Sequence, residues 1–467
     1  MKAGRSFGLS EASTVKKKRA SLAKHFRSLK KAVLGYTWWH TATLVIGILS
    51  FVSVLVILLL PISKGPTEFT YAGTMPPVSN ASFAGSLADS LNLPLGQGDA
   101  IQVLNNGDAF LESFLKDIAA ARSTIDIMIY IWADGRMSDR IVERLKQKLR
   151  DGVQVRIFID SFGSNWWSRP TTKFKELKEA GAKIGVFHSL TIAPWDFLKN
   201  HVRNHRRAIV IDGDIGYFGG MAIDDTWLGD ARNPKETRDM MFRSTGPMTR
   251  HIQAVFGELW ASMMGEIIAG DLFYPPPSGP KEKGPLTYVA LASTPSPDTL
   301  VLQRFILLSL AAAEKKIYIT SPYFLTDYSL RDMLMRKAKE GVDVRVLVPN
   351  SLNDSWAVYH ASRYKYDELL AGGVKIYEYQ PTFIHTKALV IDANWSIVGS
   401  ANMDNRSRKL NEEAIFGVLN KAFGAKMEST FLADLDHAAP IDLTAWRQRG
   451  LWQRTQELVS LNFVEQY

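Results

Sequence analysis

Four sequence blocks occur twice, in the same order, in two successive stretches of the chain, and this repeat limits the possible folds more than any other feature. The first copy reads IDIMIYIW (125–132), LRDGVQVRIFID (149–160), GAKIGVF (181–187) and HRRAIVID (205–212). The second reads KIYITSPYF (316–324), AKEGVDVRVLVP (338–349), GGVKIYEY (372–379) and HTKALVID (385–392). Amphipathic stretches of helical length, such as residues 138–152 and 329–341, alternate with these β-branched runs. The spacing predicts an α/β fold, two αβ-sandwich halves each built around a mostly buried sheet. The Pro- and Gly-rich break FYPPPSGPKEKGP (273–285) sets the halves at residues 96–272 and 286–435, followed by a C-terminal helical segment, 436–467, whose default is packing on the body.

The net charge of +9 lies outside this repeat. Residues 1–40 hold ten Lys/Arg against the single acid Glu11, so the remaining chain is neutral. Nucleic-acid binding by counterion release needs a basic surface on the binding body, and no nucleic-acid partner is expected. After the basic tail come twenty residues without a charge, TATLVIGILSFVSVLVILLL (41–60), flanked by Trp38, Trp39 and Pro61. That length predicts one transmembrane helix over 41–62. The positive-inside rule puts tail 1–40 in the cytoplasm and everything beyond residue 62 across the membrane. For a bacterium this means a single pass through the inner membrane and a periplasmic body. Residues 63–95, rich in Gly, Pro, Ser and Thr, read as a linker. With no cysteine, disulfides, thiolate metal sites and a cysteine nucleophile are excluded.

The last block of each copy carries the chemistry. Both copies place a His, a cation two residues on, an Asp after four apolar-leaning residues, and a small-residue pair beyond: His205, Arg207, Asp212, Gly219, Gly220, and His385, Lys387, Asp392, Gly399, Ser400. On a strand, positions i and i+2 share a face, so imidazole and cation are presented together. Asp212-Gly213 is a hairpin dipeptide, and Asp212 and Asp392 fit turn stabilisation better than catalysis. Gly220 and Ser400 stand where a backbone N–H can approach an anion. A lone His-x-Lys carries no information; two copies in a duplicated body predict two imidazoles and two cations across a pseudo-twofold axis. A phosphate diester suits such a site. Cations hold the non-bridging oxygens, one His attacks phosphorus and the other protonates the leaving alkoxide.

HTKALVID and GSANMDNRS resemble the His-Lys-Asp signature of the phospholipase D superfamily, and the block order is similar to bacterial cardiolipin synthases over about residues 97–460. RNHRRAIVIDGDIGYFGGMAI (203–223), RDMMFRSTGP (238–247) and LNEE (410–413) carry the same likeness. The resemblance implies His205 and His385 as nucleophile and general acid/base, with attack by His205. It further implies phosphate binding by Arg207, Lys387 and Asn402, and tautomer-fixing carboxylates at Asp239 and Glu413, with neither metal nor cofactor. The implied activity is phosphatidyl transfer between membrane phospholipids, phosphatidylglycerol and phosphatidylethanolamine being the candidate substrates. A hydrolase, phospholipase or nuclease, shares every catalytic residue, and a lapsed lipid-binding protein is a third reading. Arg207 stands where the family has Lys, Ala222 where it has Asn, and Arg408 where it tends to an aromatic residue. Trp166, Trp167 and residues 192–198 form either core or an apolar lip toward lipid.

Overall fold

A computed structural model describes residues 21–31, 38–48, 50, 69–98, 100–165, 172–188, 201–276, 286–295 and 300–461. The chain divides into two units, Met1–Lys64 and Gly65–Tyr467. In the first, residues 21–31 and 38–48 are helical, and Trp38, Trp39, Leu44 and Ile46 are exposed. Among the described residues no helix is long and apolar enough to cross a membrane. Most of the predicted span 41–62 lies outside the described residues, as do Trp166, Trp167 and 192–198.

The second unit contains two sheets with a repeated strand order. The first runs Ala100–Asn105, Met240–Thr245, Ile215–Gly219, Ala208–Ile211, Thr124–Ile129, Gln154–Asp160, Lys183–Phe187. The second repeats that order as Leu286–Ser293, Asn411–Leu419, Trp395–Gly399, Ala388–Ile391, Lys316–Thr320, Asp343–Pro349, Lys375–Tyr379, with Leu95–Gly98 and Ala438–Pro440 added at its edges. In each, the three strands of the first three sequence blocks are parallel and the His-bearing block joins them antiparallel. Parallel strands need crossover helices, and these are the amphipathic stretches Arg136–Arg150 and Tyr328–Lys339, which cover the outer faces. The inner faces share one apolar layer with the helices Pro247–Met264 and Lys421–Leu435, where Phe218 meets Phe416 with ring centroids 4.5 Å apart. The expected duplicated α/β body is therefore present.

Asp212 and Asp392 each close a tight hairpin in the left-handed conformation, with φ of 53° and 52°. Their carboxylates do more than serve the turn. Asp212 accepts from the N–H groups of Arg122, Ser123 and Thr124 at 2.7–2.9 Å, and Asp392 from Glu314, Lys315 and Lys316 at 2.7–2.8 Å. Each pins the start of the neighbouring strand to the His-bearing hairpin.

Two boundaries need correction. Residues 63–95 are not all linker: Phe83–Leu91 is a helix burying Phe83, Ala84, Leu87, Ala88 and Leu91, and Leu95–Gly98 pairs with Leu286–Ser293. Small residues gave this segment a loop-like composition while its apolar positions kept helical spacing. Residue 96 accordingly begins no half; it lies in the second sheet. The segment 436–467 likewise contributes a strand to that sheet, and its helix Leu451–Ser460 leaves Leu451, Trp452, Leu458 and Val459 exposed.

Candidate active site

The first copy's His-bearing strand is preceded by Arg203–Asn204, which pairs in parallel with Asn411 and Glu412 of the second copy. The His205 N–H thereby donates to the Glu412 carbonyl at 2.9 Å. The second copy mirrors this, its His385 N–H donating to the Arg238 carbonyl at 2.7 Å. Each histidine backbone is thus tied to the residue just before the other copy's carboxylate. As a result the pairs cross between halves. His205 Nδ1 lies 2.9 Å from Glu413 Oε1, and His385 Nδ1 lies 2.7 Å from Asp239 Oδ2.

Both imidazoles are nearly buried, at 7% and 6% exposure, which leaves little access for bulk water. Burial, followed by the nearby Arg207 charge, pushes the His205 pKa down to about 3 against the pull of Glu413. Burial and Lys387 lower that of His385 against Asp239. Burial alone would raise the Glu413 carboxyl, yet His205, Ser400 and Ser407 hold it at about 2. Asp239 is likewise held below its usual range, against burial, by His385, Lys387 and Trp227. Both carboxylates are therefore ionised acceptors and both resting imidazoles neutral. The shared proton sits on Nδ1, which leaves the Nε2 lone pair of His205 for chemistry and turns that of His385 to Lys387 Nζ.

Each cation bends back on its own histidine. Arg207 Nη1 donates to the His205 carbonyl, and Lys387 Nζ to the His385 carbonyl at 2.8 Å. Lys387 Nζ is also 3.1 Å from His385 Nε2. Arg207 Nε is buried and has no hydrogen-bond partner among the described residues. Lys387 feels the charges of Asp239, Arg207 and Glu413, which places groups from both copies in one site. Burial holds the Lys387 pKa down to about 7. Two tightly desolvated cations in one site suit an anion of two or more oxygens.

The phosphate role expected of Gly220 and Ser400 is not supported by their geometry. Their N–H groups donate to the carbonyls of Met240 (3.2 Å) and Ala414 (3.0 Å) within the sheets and are not free for an anion. Instead both serve the carboxylates. Ser400 Oγ donates to Glu413 Oε2 at 2.5 Å, and a Cβ on Gly220 would lie 2.7 Å from Asp239 Oδ1. Gly220→Ala is therefore expected to push Asp239 off His385, lowering kcat roughly 10- to 100-fold while costing only about 1–3 kcal/mol of stability. Steady-state kinetics beside a thermal melt checks this; unchanged kcat in a folded variant would remove the role.

Asn402 lies beside Asp404, and its Oδ1 is buried with no hydrogen-bond partner; a rotated amide would offer N–H there. Its counterpart Ala222 is fully buried in the apolar core of the first half, so that position supplies no such donor. Arg408 is occupied by Asp327, Asn405 and the Asp404 carbonyl, and Asp327 also caps the helix Tyr328–Lys339. Three contributors escaped the sequence reading. Trp227 Nε1 donates to Asp239 Oδ2 at 3.0 Å and packs edge-on to His385, while Ser407 Oγ donates to Glu413 Oε1 at 2.7 Å. Each stands five residues past Ala222 or Asn402, so the repeat register held the signal, hidden by the chemical unlikeness of Trp and Ser. Tyr130 packs edge-on to His205 at 5.0 Å and under the Arg207 guanidinium at 5.4 Å.

The family described as "Cardiolipin synthase, PLD-like domain" matches residues 114–260 and 306–435, spanning both His-bearing hairpins. A cardiolipin synthase of Geobacillus thermodenitrificans is 32% identical over 369 residues, 79% of this chain and 72% of that one. One from Listeria monocytogenes is 32% identical over 370 residues, 78% and 75% of the two chains. In fold, the chain is similar to the crystal structure of phosphatidylserine synthase from Haemophilus influenzae, with TM-score 0.59, 15% identity, and coverage of 81% of this chain and 99% of that one. With both halves matched and relatives aligned over most of its length, the chain belongs to the cardiolipin synthase, PLD-like domain family.

Proposed function

We propose that the chain is a membrane-anchored phosphatidyltransferase that moves a phosphatidyl group onto an alcohol acceptor, such as the glycerol of phosphatidylglycerol, through a phosphohistidine. The observation that carries this is the pair of crossed His–carboxylate contacts with a cation beside each imidazole. The donor is phosphatidylglycerol or phosphatidylethanolamine. His205 is the nucleophile in this reading, as the family resemblance implies, and burial with Arg207 keeps its resting imidazole neutral. Its Nε2 forms a bond to phosphorus as the headgroup oxygen leaves, and His385 gives that oxygen a proton. The bound phosphate draws Lys387 and raises the His385 pKa, so His385 is charged when the proton is needed. The acceptor alcohol then returns a proton to His385 while its oxygen displaces His205. Arg207 keeps the charge of the usual lysine and adds a second donor for phosphate. Residues 41–62, uncharged and led by exposed Trp38 and Trp39, are the single-pass anchor, with the tail cytoplasmic and the body periplasmic.

The test is to reconstitute the full chain with both lipids and identify products by mass spectrometry, beside His385→Ala. Cardiolipin from the intact enzyme alone is the expected result. Phosphatidic acid alone would make it a hydrolase, and no lipid product would overturn the reading.

A pH profile adds a second check. Lys387 in the free enzyme is charged below about 7 and loses that charge as pH rises. Consequently kcat/KM falls as pH climbs through about 7, while kcat, which reports the phosphate-bound complex, holds to higher pH. Lys387→Arg should lose this alkaline limb; an unchanged limb would assign it to another group.

A further inference from the structure

The helix Leu451–Ser460 is amphipathic the wrong way round. Glu457 and Ser460 are buried, Glu457 held by Arg449 at 2.7 Å and close to Arg363, while Leu451 is 82%, Trp452 72%, Leu458 58% and Val459 48% exposed. At 100° per residue those four side chains share an arc of about 120° on one face. The helix packs against Trp356–Arg363, where Trp356 is also half exposed. That second helix follows directly on the catalytic rim. Asp354 accepts from the Tyr323 hydroxyl at 2.8 Å and lies close enough to His385 and Lys387 for its charge to act on both. Exposed Arg454, one turn before Leu458 on the same helix, borders the apolar face.

We propose that the face formed by Leu451, Trp452, Leu458, Val459 and Trp356 docks the catalytic body onto an anionic bilayer surface, apart from any anchor, and so sets the second copy's rim at the lipid. The inference rests on the reading of the substrate as a membrane phospholipid. Tryptophan and leucine beside an exposed arginine fit an interface of acyl chains below anionic headgroups. A lipid substrate also cannot reach a buried imidazole pair unless the opening meets the membrane. The exposed face is joined to Asp354 and Tyr323 through the helix Trp356–Arg363 on which it packs.

The chain has no cysteine, so a single introduced one takes a label uniquely. The full chain with Trp452→Cys carrying an environment-sensitive fluorophore is reconstituted in phosphatidylglycerol–phosphatidylcholine vesicles with brominated acyl chains, beside Glu143→Cys on the exposed side of Arg136–Arg150. The label at 452 is expected to be quenched several-fold more than that at 143. Equal quenching overturns the proposal. So does shielding of the 452 label from iodide in lipid-free micelles with a doubled mass, which gives the face to a second copy. In parallel, Trp452→Ser combined with Leu458→Ser should lower turnover of vesicle-borne substrate roughly tenfold, and that of a dispersed short-chain phospholipid less than about twofold. Equal loss on both, or loss on neither, overturns it as well. If the intact enzyme turns over neither substrate, the transferase reading fails while the quenching still decides the docking.

Discussion

His205→Ala is expected to release no p-nitrophenol from a p-nitrophenyl phosphatidyl ester, whereas His385→Ala should release one equivalent in a burst and then stall. The difference follows from leaving-group chemistry. p-Nitrophenolate departs without a proton, so the first step needs only the nucleophile, while the second still needs His385 to take the proton of the acceptor. The stalled variant should carry its phosphatidyl group on His205, a P–N bond that survives alkali and breaks in acid, so mass spectrometry after alkaline digestion finds it. With natural lipid both variants lose on the order of 10⁴-fold or more in kcat, as removal of one member of a mutually dependent set does. A burst in His205→Ala with the mark on His385 would reverse the assignment.

Glu413→Gln comes second in size, at about 10³- to 10⁴-fold in kcat. The carboxylate is an acceptor only, and its contact with His205 Nδ1 at 2.9 Å fixes the proton there. A glutamine can donate to Nδ1 instead, which moves the proton to Nε2 and removes the attacking lone pair. Since the pairing crosses the halves, the activated ester separates the two carboxylates. Glu413→Gln should abolish the burst, and Asp239→Asn, whose partner is His385, should leave it and slow only the turnover that follows. The opposite pattern would mean that each carboxylate governs the other imidazole.

The sequence was informative where chemistry repeats. Block order set out both sheets, the Asp-Gly dipeptide marked the first hairpin, and recurrence singled out His205 and His385 from unremarkable His-x-cation pairs. Which carboxylate meets which imidazole was not legible, because Asp239 and Glu413 each follow their own motif. The choice is made by Arg203–Asn204 pairing with Asn411 and Glu412, a short contact between segments far apart in the chain. Gly220 and Ser400 were misjudged for a related reason. A small residue beside a proposed anion site looks like room for the anion, but here the room is taken by Asp239, and the Ser400 hydroxyl by Glu413. The helix Phe83–Leu91 was missed because Gly85, Ser86 and Ser90 made a buried amphipathic segment look like a tether.

Because each histidine draws its carboxylate from the opposite half, a polypeptide with one half alone would hold an imidazole with no partner to fix its proton. Two such polypeptides could restore both pairs only as a symmetric dimer in which each completes the other. In that dimer every substitution strikes both positions at once. Joining the halves in one chain removes that restriction: Trp227 opposite Ser407, Arg207 opposite Lys387 and Ala222 opposite Asn402 are differences a symmetric pair could never hold. Fusion thus gives a twofold frame the freedom to divide labour between its two sides, as the proposed split between attack and proton transfer requires.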